Sequence, residues 1–398
     1  MSDPLQHIVD SGQLAGAATL VWKNGAAQTR CFGWRDIERK LPVESDTIFR
    51  IASMTKPITS VAALMLVDEG HVALNDPIAR FALEFSQMRV LRSPGGPLDE
   101  TDPAERLITV EDLLTHRAGL TYGDFHRGPI SQAYREALGG DTDSNIAPDE
   151  WITRLSQLPL IHQPGAMMSY GRSTDLLGLL IARIEGEPLQ AVLKRRIFDP
   201  LGMKDTSFLV SPDKRDRRAA AYGFTDEGKL IKRTTWSGVV VEERPAEMTY
   251  ESGGQGLWST VDDYLRFARL FLGDGSVDGV RLLRPEMLAL MMTNQLTEAQ
   301  RASSGWPGYK PFAAGGFGLG VSVVLETDAN DLLPRGGVGT VSWPGAFGGW
   351  WQADPNNGSV LIFLAHNMVD LAQMAKGIGL GVWAAIEAFH KSAANSQA

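Results

Sequence analysis

Cysteine is nearly missing: Cys31 stands alone among 398 residues, so no intrachain disulfide can form and no thiolate cluster can hold a metal. Nowhere does an apolar run approach the roughly 18 residues of a membrane span. The first residues, MSDPLQHIVDSG, carry an acid where a signal peptide needs an apolar stretch. A cytoplasmic protein with no membrane partner is the expectation. Basic charge is also short, with 38 Lys and Arg against 47 acids and a formal net charge of -9, which disfavours nucleic acid as a partner. The one basic run (Lys214, Arg215, Arg217, Arg218) alternates with Asp213 and Asp216, as solvated segments do. The seven histidines include no H-E-x-x-H pair, and no phosphate-binding glycine loop occurs, so neither a metal nor a nucleotide cofactor is indicated.

What remains is an ordinary soluble composition, 43% hydrophobic and 21% charged, in a chain long enough to bury a large core in one or two packed lobes. Residues 17–33 read as a hairpin turning at Asn24 and Gly25, the pair that supplies positive φ. Ser53 to Gly70 has apolar residues at Ile58, Val61, Ala62, Met65 and Leu66, the spacing of a buried helix. From about 76 to 204 helical segments dominate (110–114, 149–158, 173–185), and 260–272 is amphipathic behind a Thr cap. Near the end come β-rich runs at 317–325, 338–343, 347–353 and 359–365, then a helix over 371–390. This order predicts an α/β (α+β) fold: a central antiparallel sheet of about five or more strands, flanked by helices and built from both ends of the chain. The expected division is an α/β domain from 1–75 and 205–398 and a mainly helical domain over 76–204.

Ser53, Met54, Thr55 and Lys56 spell S-x-x-K at the start of the buried helix, which puts a hydroxyl and an amine on neighbouring points of one turn. A serine is a poor nucleophile until a nearby base takes its proton, and a lysine in perturbing surroundings can be that base or part of it. The motif alone is weak. Ser211 to Lys214 spells it too, but in a charged loop with no apolar helix behind it. The competing role for Ser53 is helix capping, yet a first-turn Lys opposes the helix dipole, and its burial needs a purpose.

The longer segment FRIASMTKPITSVAALMLVDEG (Phe49 to Gly70) resembles the nucleophile segment of β-lactamase-related esterases. LLTHRAGL (Leu113 to Leu120), PGAMMSYGRSTDLLG (Pro164 to Gly178) and GGQGLWSTVDDYLRF (Gly253 to Phe267) are similar to further blocks of the serine β-lactamase and penicillin-binding-protein superfamily. The resemblance covers most of the chain and implies the β-lactamase-like fold, with the active site between the two domains. It implies Ser53 as acylated nucleophile, Lys56 as its proton partner and Tyr170 as the base that returns the proton to the leaving group, its pKa lowered by Lys56 or the proton shared with it.

Two departures from that pattern bear on chemistry. Arg172 stands where penicillin-binding proteins usually carry Asn, and no K-T-G strand is present. In its place Trp343, Pro344, Gly345 and Ala346 are similar to the tryptophan-glycine version of family VIII carboxylesterases. By that resemblance the N-H groups of Ser53 and Ala346 form the oxyanion hole, and Trp343, Gly345 and Phe347 line the substrate site. His116 reads instead as a helix-end residue, since no G-x-S-x-G elbow supplies a triad serine. The expected activity is hydrolysis of short to medium acyl esters of small molecules. The alternatives are a β-lactamase, D-amino peptidase or acyltransferase using the same site, and a non-catalytic penicillin-binding-like module. Pocket size is expected to follow loops 123–131 and 301–312, and oligomeric state is left open.

Overall fold

Asn24 and Gly25, at φ 53° and 79°, turn the chain between β1 (Gly16–Lys23) and β2 (Ala26–Asp36), the left-handed pair that matches the twist of a tight hairpin. The structure is a computed structural model that describes residues 3–126, 128–139, 143–236, 239–240, 244–245, 247–304, 312, 315–327, 336–368 and 370–395. Residues 127 and 305–311, within the two loops expected to size the pocket, lie outside these.

The hairpin continues into β3 (Leu41–Pro42) and joins β4 (Gly315–Phe317), β5 (Ser322–Val324), β6 (Val341–Gly345), β7 (Gly349–Asp354) and β8 (Ser359–Ala365). The order is β4-β5-β6-β7-β8-β1-β2-β3, eight strands, every neighbouring pair antiparallel. β1 and β8 meet with Leu20 opposite Ile362, so the two ends of the sequence close one sheet.

Both faces are covered. Phe32, Trp350, Leu361 and Phe363 pack against α1 (Pro4–Asp10) and the last helix, and their neighbours Trp351, Ile362 and Leu364 face the main core. That is why 360–365, behind Ser359, is an unbroken apolar run and not an alternating one. The main core is carried by α2 (Thr55–Asp68), α3 (Ser173–Glu185) and α4 (Val261–Ala268). Residues 76–204 also hold helices Val110–Leu114, Pro129–Leu138 and Pro148–Ser156 and a short strand pair, Arg89–Leu91 with Thr101–Pro103.

Two expected elements are divided. The run at 317–325 is the end of β4, a turn and β5, because Gly318 lies against the Met291 carbonyl and Gly320 turns at φ 95° against Ser60. The helix expected over 371–390 is a short piece, Leu371–Met374, then α5 (Gly381–Asn395), interrupted where Gly377 and Gly379 take positive φ.

Two of the four residues in the basic run are paired with one carboxylate. Lys214 and Arg217 both reach Asp205 at 2.9 Å. Burial pushes the Asp205 carboxyl up, but these hydrogen bonds outweigh it and hold it at about 2. Among the described residues, no helix is long and apolar enough to cross a membrane. No group of three or more His, Cys, Asp and Glu there could hold a metal ion.

Arg50, three residues before Ser53, is buried and paired with buried Asp143, and its guanidinium lies 5.2 Å from the Trp258 ring centroid. Removing one partner strands a charge in a dry interior. Asp143→Ala is therefore expected to destabilise the protein by about 3–5 kcal/mol, read from the urea midpoint; a loss under about 1 kcal/mol would contradict the pairing.

Candidate active site

The segment carrying Ser53 is held from below. A single 3-10 turn, Ala52–Met54, precedes α2, with Ser53 8% exposed and Lys56 1%. Ala52 sits at φ 45°, a left-handed conformation costly for a residue with a Cβ, and packing by Ala221, Phe347 and Met368 holds it there. Neither cap position, Ile51 or Met54, is Ser53, so the hydroxyl is not used in capping. The start of α2 is fastened to the GGQGLW segment. Thr59 donates to the Gly253 carbonyl at 2.7 Å, Leu257 N-H donates to Thr55 Oγ1 at 3.2 Å, and Tyr264 Oη donates to the Met54 carbonyl at 2.9 Å.

Lys56 Nζ lies 3.4 Å from Ser53 Oγ, 2.9 Å from the Gly254 carbonyl and 3.1 Å from Tyr122 Oη. It also stands 4.6 Å from the centroid of the Tyr170 ring, a cation over a π face. The Tyr170 phenol shares a hydrogen bond with Ser53 and accepts another from Trp343 Nε1 at 3.2 Å. Three groups far apart in sequence thus converge: the hydroxyl of Ser53, the amine of Lys56 and the phenol of Tyr170.

Burial dominates the phenol's acidity. It pushes Tyr170 well above its ordinary value, and the hydrogen bonds with Ser53 and Trp343 oppose it only in part. The sequence-based expectation of a lowered pKa is corrected accordingly: Lys56 lies over the ring and the environment is dry. His116 is also dry, and burial followed by the Lys56 charge pushes it well below the usual imidazole range. Its ring stacks 4.8 Å from Tyr170, and its Nδ1 accepts from Gly171 N-H at 3.4 Å. It supports Tyr170 as a neutral ring.

Gly171 explains how the phenol arrives. A Cβ there would stand 2.3 Å from Thr121 Cα, so only glycine lets the 170–172 segment press against the 121–122 segment. The same approach brings in Tyr122, which was missed in the sequence because it lies two residues past the LLTHRAGL block and matches no motif. Asp175 was missed as well. It accepts from Tyr122 Oη at 3.3 Å, from Gly254 N-H at 3.2 Å and from Ser252 Oγ. Arg172, in place of the expected Asn, is buried beside it, with Nη1 3.9 Å from the Asp175 carboxylate.

On β6, Trp343 is buried between Tyr170 and Phe317, with ring centroids at 5.3 and 5.1 Å. Gly345 is forced by the protein itself, since a Cβ would fall 2.4 Å from the Ile51 carbonyl; this close packing ties β6 to the turn that carries Ser53. Ala346 is exposed at the first position of the turn that follows. Phe347, expected to line the substrate site, is buried against Ala52, its ring tilted against His366 at 4.8 Å, so it props the turn that carries Ser53. Ser211 lies at the cap of a separate 3-10 turn, its Lys214 committed to Asp205.

Known proteins resemble this chain over most of its length. The family model described as Beta-lactamase matches residues 2–380. Protein Rv1367c of Mycobacterium tuberculosis is 45% identical over 370 residues, 92% of this chain and 90% of its own length. Esterase EstB of Burkholderia gladioli is 30% identical over 370 residues, 89% of this chain and 86% of its own length. Among solved structures, a simvastatin synthase (LovD6 mutant) from Aspergillus terreus superposes with a TM-score of 0.78 at 26% identity, covering 100% of this chain and 98% of that one. EstCE1, a hydrolase with promiscuous acyltransferase activity, superposes at 0.77 and 24% identity, covering 96% and 97%; this likeness concerns the fold.

Proposed function

This chain belongs to the Beta-lactamase family, and within it we propose that the protein is a serine carboxylesterase working through a Ser53 acyl-enzyme. The observation that carries the reading is the convergence on Ser53 Oγ of the Lys56 amine, at 3.4 Å, and the hydrogen-bonded Tyr170 phenol. The likeness to an esterase at 30% identity over most of the chain supports it.

Ser53 Oγ attacks the ester carbonyl carbon as its proton passes into the Lys56–Tyr170 pair, which titrates as a unit and must be one proton short to accept. The carbonyl oxygen gains negative charge and is met by the N-H groups of Ser53 and Ala346. First-turn amides have no intrahelical acceptor, so Ser53 N-H is suited to this. The bond to the alcohol oxygen then breaks, and Tyr170 returns the proton to that oxygen. Water repeats the sequence against the acyl-enzyme and frees Ser53.

β-Lactams fit less well. The Lys of a K-T-G strand is replaced by the apolar wall of Trp343, and Arg172 is committed to Asp175. A p-nitrophenyl ester series run beside a chromogenic cephalosporin tests this: ester turnover without cephalosporin turnover is expected, and the reverse would overturn the assignment. A second reading, acyl transfer to an alcohol, is favoured by the likeness, at 29% identity over 394 residues, to a protein of Aspergillus terreus described as a monacolin J acid methylbutanoyltransferase. It predicts that added small alcohols divert the acyl group from water.

The pH profile follows from the dry phenol. Because Tyr170 is held neutral through the ordinary range, the proton-short pair is populated only as pH rises, and kcat/KM should climb to an optimum above about pH 7. His116 should add no limb near its ordinary pKa. Trp343→Phe removes the donor that favours the phenolate; it is expected to move the rising limb to higher pH and to lower kcat about tenfold. An optimum below about pH 6, or an unmoved limb in this variant, would contradict the account.

A further inference from the structure

We propose that Asp175 is a positioning residue for the Lys56 amine, holding at once the two oxygens that fix Lys56 beside Ser53; this rests on the reading of Ser53, Lys56 and Tyr170 as the reacting groups. Lys56 offers three hydrogens and finds three acceptors: Ser53 Oγ, the Gly254 carbonyl and Tyr122 Oη. Two of these three belong to residues bound to Asp175. Its Oδ1 accepts from Gly254 N-H at 3.2 Å, and its Oδ2 accepts from Tyr122 Oη at 3.3 Å. A Cβ on Gly254 would lie 2.8 Å from Oδ2, so the backbone rests directly on the carboxylate.

The chemistry requires an acceptor with no hydrogen of its own. An ionised carboxylate only accepts, so the Tyr122 hydroxyl must turn its proton to Asp175, leaving its oxygen lone pair for Lys56. A carboxamide at this place could donate to Tyr122 and let that proton swing toward the amine. Asp175 is wholly buried and carried on the first turn of α3, where a negative charge is favoured; Ser252 Oγ and the Arg172 guanidinium complete its surroundings. The titratable and charged groups facing this cluster are Lys56, His116, Tyr122, Tyr170, Arg172 and Tyr250. Of the six, Lys56 and Arg172 bring positive charge, and Asp175 is the carboxylate set among them. Its loss should make the Lys56–Tyr170 pair give up a proton more readily.

Asp175→Asn is the test, with p-nitrophenyl acetate turnover followed across pH. The expected result is a fall in kcat of about thirtyfold with KM within about a factor of two, and a rising limb moved about one unit to lower pH. Ser252→Ala, which leaves the charge in place, is expected to keep the wild-type limb. Wild-type kcat and an unmoved limb in Asp175→Asn would overturn the proposal. If Asp175→Asn does not fold, Tyr122→Phe decides: it cuts one link between Asp175 and Lys56, so about a tenfold loss in kcat at constant KM is expected, and unchanged kcat overturns the proposal. A wild type inactive toward every ester would remove the esterase reading and this proposal together, whereas an active wild type with an indifferent Asp175→Asn would remove only the proposal.

Discussion

Ser53→Ala is expected to lower kcat for p-nitrophenyl esters by at least about 10,000-fold, with KM within about threefold of wild type. The size follows from the loss of the covalent route: without the hydroxyl, water must attack directly, and Lys56 and Tyr170 no longer have an oxygen to activate. The substitution removes one atom from a small residue at 8% exposure, and Lys56 keeps its acceptors at Gly254 and Tyr122. The melting temperature should therefore stay close to wild type, so lost activity can be told from lost structure. A variant that kept a tenth of the activity would place the nucleophile elsewhere. Ser211 is a poor substitute, because Lys214 is held by Asp205 and the Lys204 carbonyl.

Tyr170→Phe should cost about 1,000-fold in kcat with little change in KM, the range of a lost general acid-base group. The ring and its contacts with His116, Phe125 and Trp343 are kept. Only the oxygen goes, and with it the hydrogen bonds to Ser53 and Trp343. Both steps should slow, because in the proposed mechanism the same phenol returns the proton to the alcohol and assists water in deacylation. Full turnover in this variant would mean that Lys56 alone, 3.4 Å from Ser53 Oγ, carries the proton.

The parts of this site that are legible in the sequence are those set by local geometry. Ser53 and Lys56 are three residues apart on one turn, and the apolar spacing of α2 announces a buried helix. Asn24 and Gly25 mark the hairpin by their φ requirement, and 360–365 marks a central strand by being apolar throughout. Tyr170 was reachable only through the family resemblance, since no spacing rule links it to Ser53. Tyr122 and Asp175 were out of reach because their roles exist only after folding. The Gly171–Thr121 approach brings in one, and the first turn of α3 against Gly254 presents the other.

The misreadings have physical causes of the same kind. Gly318 and Gly320 lie inside a run whose composition is that of a strand, and the turn they make is dictated by Met291 and Ser60 across the core. Phe347 follows the tryptophan-glycine segment directly, yet the turn after β6 swings it behind Ala52. The expected fall in the Tyr170 pKa was argued from a neighbouring cation, without the burial that outweighs it. Gly345 was expected to line the substrate site, whereas what its missing side chain makes room for is the Ile51 carbonyl.

The central claim is that a covalent bond forms at one serine oxygen, and intact-mass spectrometry after reaction with a fluorophosphonate, followed by peptide mapping, tests it most directly. A single adduct on the peptide carrying Ser53, missing from Ser53→Ala and formed far more slowly in Tyr170→Phe, is the predicted result. An adduct on any other serine, or one that persists in Ser53→Ala, would contradict it.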